Sequence, residues 1–250
     1  MAAGPASAGG PHVLQGTGLV KRYGELVVLD DVDFHVAQDE AVGIVGPNGA
    51  GKTTLLNVLA GSATADAGTV SLRGTELGRM RPAERCRLGI GRAFQIPRPF
   101  VGMTVLENVL VGASAGAGLR QRDLRRRTVE VIELCGLEDL ANRRAGSLGL
   151  LHRKRLEVAR ALATGPQVLL LDEIGAGLTD AEADELVATI RELRNQGVCL
   201  VWIEHIVHVL LQVVDRLVCM DAGRVIADGA PRDVLRDAAV VDAYLGRAEE

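Results

Sequence analysis

The stretch Gly46-Pro47-Asn48-Gly49-Ala50-Gly51-Lys52-Thr53-Thr54 fits the pattern G-x-x-x-x-G-K-T of a phosphate-binding loop, the Walker A motif. The residue types answer a physical need. A triphosphate is wrapped by backbone N–H groups, and Gly46, Gly49 and Gly51 permit the dihedrals and close approach that a Cβ would block. Lys52 is placed to reach the β- and γ-phosphates, and the Thr53 hydroxyl to ligate Mg²⁺. The flanks agree, because Ala41–Val45 is a short apolar run suited to a buried strand and Thr53–Ala60 has helical apolar spacing. Strand, glycine loop and helix, in that order, aim a helix N-terminus at the phosphates. That context separates the stretch from a glycine-rich turn, and the reading is a nucleotide site.

A chain of 250 residues suits one large domain, or a core with a subdomain, and has ample length for a hydrophobic core. A net charge of −4 and an isoelectric point near 5.8 argue against nucleic acid as a partner. Aromatic residues are only 2% of the chain, too few for base-stacking platforms. Cys86, Cys135, Cys199 and Cys219 are scattered without a C-x-x-C pair, so reduced cytosolic thiols are expected. Residues 1–11 are rich in Ala, Gly, Ser and Pro and read as a disordered lead-in, not a signal peptide. The apolar tract Val198–Met220 is interrupted by Glu204, His205, His208, Asp215 and Arg216, too polar to span a bilayer.

From Val13 to Val36 apolar and polar residues alternate as in an antiparallel edge sheet. Tyr23, ahead of the glycine loop, could stack on an adenine, although a strand Tyr is more often simply half-buried. Another alternating strand is expected at Ala67–Gly74. The strand Gly89–Phe94 ends on Gln95 before Pro97 and Pro99 break regular structure. A Gln there is commonly a surface group, but its amide oxygen at the carboxyl edge of a parallel sheet can reach Mg²⁺ or an attacking water. From Met103 to Leu162 the spacing is helical and predicts a subdomain inserted in the α/β core. Within it Gly112–Gly118 reads as a flexible loop, and the five arginines in Arg120–Arg127 as a solvated face.

Val168–Leu171 is an apolar run suited to a strand buried on both faces, and it delivers Asp172 and Glu173 to the edge where α/β proteins bind ligands. Coupled to the glycine loop, Asp172 is placed to hold Mg²⁺ directly or through water, and Glu173 to polarise a water. Thr179-Asp180-Ala181-Glu182 opens a capped helix running to Asn195. The apolar strand Val198–Ile203 then delivers His205, whose imidazole could bond a γ-phosphate. Residues 216–228 read as a closing hairpin, and Pro231–Leu245 as a helix.

The order and spacing of these motifs resemble an ABC-transporter ATPase over nearly the whole chain from Leu14. Arg92-Ala93-Phe94-Gln95, Met103–Val109, Ile203-Glu204-His205 and Ala243-Tyr244-Leu245-Gly246 look most like the ATPase subunits of branched-chain (hydrophobic) amino acid importers. The resemblance implies a P-loop NTPase core with a mostly parallel sheet, an N-terminal antiparallel β subdomain and an inserted helical subdomain. Its layout would be an ATPase domain over residues 12–250, with the helical subdomain at about 96–165 and the terminal hairpin and helix at about 216–246. By position it implies Tyr23 for adenine stacking, Gly46 to Thr54 for the phosphates of ATP, and Thr53, Gln95 and Asp172 for Mg²⁺. Glu173 would be general base, His205 the γ-phosphate switch, and Lys52 and Gln95 would complete the catalytic set. It also implies two ATPase subunits clamping two ATP molecules on the inner face of the cell membrane, docked on permease subunits that an external solute-binding protein feeds.

Two departures from the family pattern stand out. The signature L-S-G-G-Q that should precede Arg155 is replaced by Ser147-Leu148-Gly149-Leu150-Leu151-His152. An ungapped count puts Gly149 on the signature Ser and Leu151 on its second Gly; a shift of two residues lets Ser147 and Gly149 play those parts. Thr179 stands where the family usually carries Asp. The expectation is a weakened second site and a partner ATPase subunit with an intact signature. A GTPase is disfavoured by the lack of N-K-x-D, and a soluble non-transport module by the single cassette. An ATPase for lipid or lipopolysaccharide export is the nearer alternative.

Overall fold

The computed structural model describes residues 12–116 and 120–245; the 1–11 lead-in lies outside them. β1 (Leu14–Tyr23) and β2 (Leu26–Val36) fold back on each other, and β3 (Ala41–Val45) leads through the glycine loop into α1 (Lys52–Ala60). β4 (Ala67–Leu72) returns to pair antiparallel with β1, and β5 (Thr75–Glu76) adds to β4. Next come α2 (Pro82–Leu88), β6 (Ile90–Ala93), α3 (Val105–Ala115), α4 (Gln121–Leu134) and α5 (Leu150–Ala163). The chain closes with β7 (Val168–Asp172), α6 (Asp180–Asn195), β8 (Cys199–Ile203), α7 (Val207–Leu210), β9 (Arg216–Asp221), β10 (Arg224–Gly229), α8 (Pro231–Val234) and α9 (Ala238–Leu245).

Two sheets result. The antiparallel one runs β2-β1-β4-β5 and the other runs β10-β9-β3-β8-β7-β6, parallel throughout except for β10. β3, β7 and β8 are buried at every residue. Because side chains alternate across a strand, Val42, Ile44, Val168, Leu170 and Val201 face one core, with Leu55, Leu56 and Leu59 of α1 and the antiparallel sheet. Ala41, Val45, Leu169, Leu171, Leu200 and Trp202 face the other, with α3, α5 and α6. Both faces of the parallel sheet are covered, so the open edge at the carboxyl ends of β3, β6, β7 and β8 is left for ligands.

Tertiary packing changed several local expectations. The loop expected at Gly112–Gly118 is helical through Ala115, and residues 117–119 lie outside the described ones. A Cβ on Gly112 would stand 2.4 Å from the Arg160 carbonyl oxygen, so this glycine lets α3 lie close on α5. α2 was not anticipated, although Pro82 at its first position and a capping Glu84 carry the signal. The expected helix over 231–245 is two helices, and Asp237 Oδ1 accepts from Ala239 N–H at the start of the second. β9 and β10 form the expected hairpin, and β9 also lies parallel beside β3 in the core sheet. The Thr179 capping box forms as read, with Thr179 N–H donating to Glu182 Oε2 at 2.9 Å and Glu182 N–H to Thr179 Oγ1 at 3.4 Å.

Candidate functional site

The glycine loop borders a cleft of about 270 Å³ lined by Asn48, Gly49, Ala50, Gly51, Lys52, Thr53, Thr54, Val28 and Glu173. Gly46 has φ +145°, and a Cβ there would stand 2.0 Å from the Met220 carbonyl oxygen of β9. Only glycine fits, and its backbone fixes where the loop leaves β3. Lys52 Nζ donates to the carbonyls of Gly46 at 2.7 Å and Pro47 at 2.9 Å, so its ammonium lies folded against the loop. Burial pushes that ammonium below its ordinary pKa, opposed by the nearby carboxylates of Glu173 and Asp172. α1 begins at Lys52 and turns its free N–H groups and positive end toward the cleft.

Register brings the acidic and polar groups together. Ala93 of β6 lies opposite Leu171 of β7, and Asp172 opposite Ile203 of β8. Gln95 and Glu173 each follow their partner by two residues, and His205 follows Ile203 by two, so the three converge on one edge. Glu173 Oε2 accepts from Gln95 Nε2 at 2.5 Å, and Glu173 Oε1 lies 2.8 Å from His205 Nε2. Glu173 has φ +46°, a left-handed conformation costly for a residue with a Cβ, and its N–H donates to Ile203 O at 2.9 Å. The strand therefore ends abruptly there and turns the carboxylate along the sheet edge. Asp172 is only 5% exposed, with Oδ1 facing Thr53 Oγ1 at 3.4 Å and Oδ2 ion-paired with Arg92 Nη2 at 2.8 Å.

Tyr23 is half-exposed, with the Lys21 ammonium 5.2 Å from its ring centroid, and it does not line the cleft; Val28 of β2 does. Ser147 ends a single 3₁₀ turn, with its hydroxyl donating to Arg144 O at 2.9 Å. Gly149 is the N-cap of α5, Leu150 is exposed and Leu151 is buried in the first turn. Neither Ser147 nor Gly149 lines the cleft.

Sequence reasoning missed the groups that hold the site. Lys154 of α5, 3% exposed, donates to the Gln95 carbonyl at 3.0 Å. Asn108 of α3 clamps Phe100, donating to its carbonyl at 3.1 Å and accepting from its N–H at 2.8 Å. Glu204, 2% exposed, accepts from Gly175 N–H at 2.6 Å and from the Trp202 indole at 3.3 Å. Burial raises the Glu204 carboxyl above its ordinary pKa, and those two donors offset only part of the effect. A carboxylate closing an apolar strand was a readable signal for Glu204. Nothing local marks Lys154 or Asn108, whose partners lie on a segment with no regular structure.

The family model described as ABC transporter matches residues 29–176, and that described as branched-chain amino acid ATP-binding cassette transporter matches 224–250. The high-affinity branched-chain amino acid transport ATP-binding protein BraF of Pseudomonas aeruginosa is 35% identical, covering 94% of this chain and 98% of its own. LivG of Escherichia coli K12, named likewise, is 36% identical with the same coverages of 94% and 98%. A solved nucleotide-free ATP-binding cassette from an ABC transporter is 33% identical with a TM-score of 0.85, over 94% of this chain and 100% of that one. A cassette solved in its ADP conformation is also 33% identical, with a TM-score of 0.84 over 94% and 99%. With the glycine loop, the buried Asp172 and the Gln95–Glu173–His205 cluster on one sheet edge, these likenesses agree that the chain belongs to the ABC transporter family and is one of its ATP-hydrolysing cassettes.

Proposed function

We propose that this chain powers uptake of branched-chain or related hydrophobic amino acids, hydrolysing ATP while docked on membrane permease subunits. The observation that carries the chemistry is the bracketing of Glu173 by Gln95 and His205 beside the glycine loop. Gly46, Pro47, Asn48, Gly49, Ala50, Gly51 and Thr54 wrap the phosphates of ATP, with Lys52 exchanging its carbonyl partners for phosphate oxygens and the base on the exposed ring of Tyr23. Thr53, Asp172 and Gln95 offer hydroxyl, carboxylate and amide oxygens, a hard donor set that suits Mg²⁺ completed by phosphate and water. When bound, Mg²⁺ would supply positive charge that offsets the charge developing on the leaving group. Glu173 takes the proton of the attacking water, and His205 and Gln95 hold its carboxylate in line.

The partner reading rests on chemistry at two surfaces. Large apolar side chains stay exposed along the segment after β6, with Ile96 66% and Val101 65% exposed, which suits a protein partner. No helix among the described residues is long and apolar enough to cross a membrane, so the permease supplies the span and holds this chain at the inner face. A second ATPase subunit lends its signature loop to Lys52, Asp172 and Glu173, and the Ser147–His152 segment is offered in return. The relatives' names speak of branched-chain amino acid transport and favour an amino acid over a lipid as cargo. The test is reconstitution with permease and binding protein in vesicles. Leucine, isoleucine or valine should stimulate ATP hydrolysis, and stimulation only by lipid would replace this reading with export.

A further inference from the structure

We propose that Arg92 is a positioning residue for Asp172, holding one carboxylate oxygen so that the other stays turned toward Thr53 and the metal. The inference rests on the reading of Asp172 as the magnesium carboxylate. The guanidinium is a fork with two occupied arms: Nη2 donates to Asp172 Oδ2 at 2.8 Å and Nη1 to Asn57 Oδ1 at 2.7 Å. Asn57 belongs to α1, the helix that follows the glycine loop, so one side chain ties that helix to the end of β7. Both members of the ion pair are nearly out of solvent, at 9% and 7% side-chain exposure. The Phe94 ring covers the guanidinium at 4.7 Å and adds a cation–π contact.

A carboxylate's terminal torsion is broad and two-fold, so an unheld Asp can present either oxygen, or neither, to a cation. A planar fork removes that freedom, whereas a lysine ammonium is a point charge on a flexible stem and does not reproduce both bonds. The opposing effect is electrostatic, because a cation beside Asp172 weakens its pull on a metal. Replacements that keep or remove the charge separate the two. If orientation dominates, Arg92→Lys and Arg92→Met both weaken metal binding. If charge dominates, Arg92→Met tightens it.

The experiment measures Mn²⁺ binding by electron paramagnetic resonance in the presence of ADP, with nucleotide affinity measured separately without metal. Arg92→Lys and Arg92→Met should each raise the Mn²⁺ dissociation constant about 10-fold or more, the size expected when a ligand loses its orienting partner. Metal-free ADP affinity should hold. Asn57→Ala, which releases the other arm, should shift Mn²⁺ in the same direction. Unchanged or tighter Mn²⁺ binding in the Arg92 variants overturns the proposal, and should Arg92→Met not fold by circular dichroism, Arg92→Lys and Asn57→Ala decide on the same readout. Asp172→Asn distinguishes the two levels. Intact Mn²⁺ binding in that variant removes the reading of Asp172 itself, whereas weakened binding there with unaffected Arg92 variants removes only the role of Arg92.

Discussion

Glu173 Oε1 lies 2.8 Å from His205 Nε2, while its other oxygen accepts from Gln95, so each oxygen of one carboxylate is held by a different strand end. Such a carboxylate is oriented before substrate arrives, and the energy of aligning a water need not come from the reaction step.

Replacing Glu173 with Gln keeps the shape and both neighbours but removes the proton acceptor. ATP binding should stay near that of the wild type, while phosphate release falls at least about 100-fold, in line with general-base contributions. Hydrolysis at the wild-type rate would remove the base assignment.

Among the described residues, His205→Ala leaves Gln95 as the side chain holding Glu173. The expected loss in kcat is roughly 100-fold, as for a misplaced catalytic group, with ATP affinity little changed. A pure affinity loss would instead mean that His205 only binds nucleotide.

Gly46→Ala puts a methyl group 2.0 Å from the Met220 carbonyl oxygen at φ +145°. Unfolding in urea should show a loss of about 3 kcal/mol from strain and overpacking together. Gly49→Ala meets no atom within 4 Å; it should destabilise less and act mainly on nucleotide affinity.

Burial raises the Glu204 carboxyl above its ordinary value. The native state therefore keeps a proton that the unfolded chain gives up, and stability falls as pH rises from the ordinary carboxylate range to the raised one. Glu204→Gln retains an oxygen for Gly175 N–H and the Trp202 indole, and should flatten that part of the melting-temperature profile. A profile unchanged by the substitution would show that Glu204 does not set it.

In a mixed pair with an ATPase subunit of intact signature, Lys52→Ala here should lower turnover roughly 100-fold, as when one preorganised charge-stabilising donor is lost. The matching change in the partner should cost far less, because the loop there would be completed by this chain's Ser147–His152 segment, which departs from L-S-G-G-Q. Equal losses from the two sides would rule out asymmetry.

The glycine loop, the acidic pair at the end of β7 and the Thr179 cap were legible because each depends on neighbours in sequence: dihedral freedom, an apolar run, a hydroxyl three residues before a carboxylate. Helix ends and glycines inside helices were less so. Gly112 looks like a loop residue until α5 is set against it, since a close approach between helices has no local mark.

What the sequence alone determined is the set of chemical groups and the strand edge on which each stands, because residue type and short-range periodicity fix both. The tertiary structure decided which of them meet. Gln95, Glu173 and His205 are separated by 78 and 32 positions, and only the order β8-β7-β6 with its register brings them within hydrogen-bond distance. The same pairing turned Arg92, a motif residue without a role in sequence, into the partner of Asp172, because parallel neighbours on a sheet are chosen by long-range packing of buried faces and not by anything adjacent in the chain.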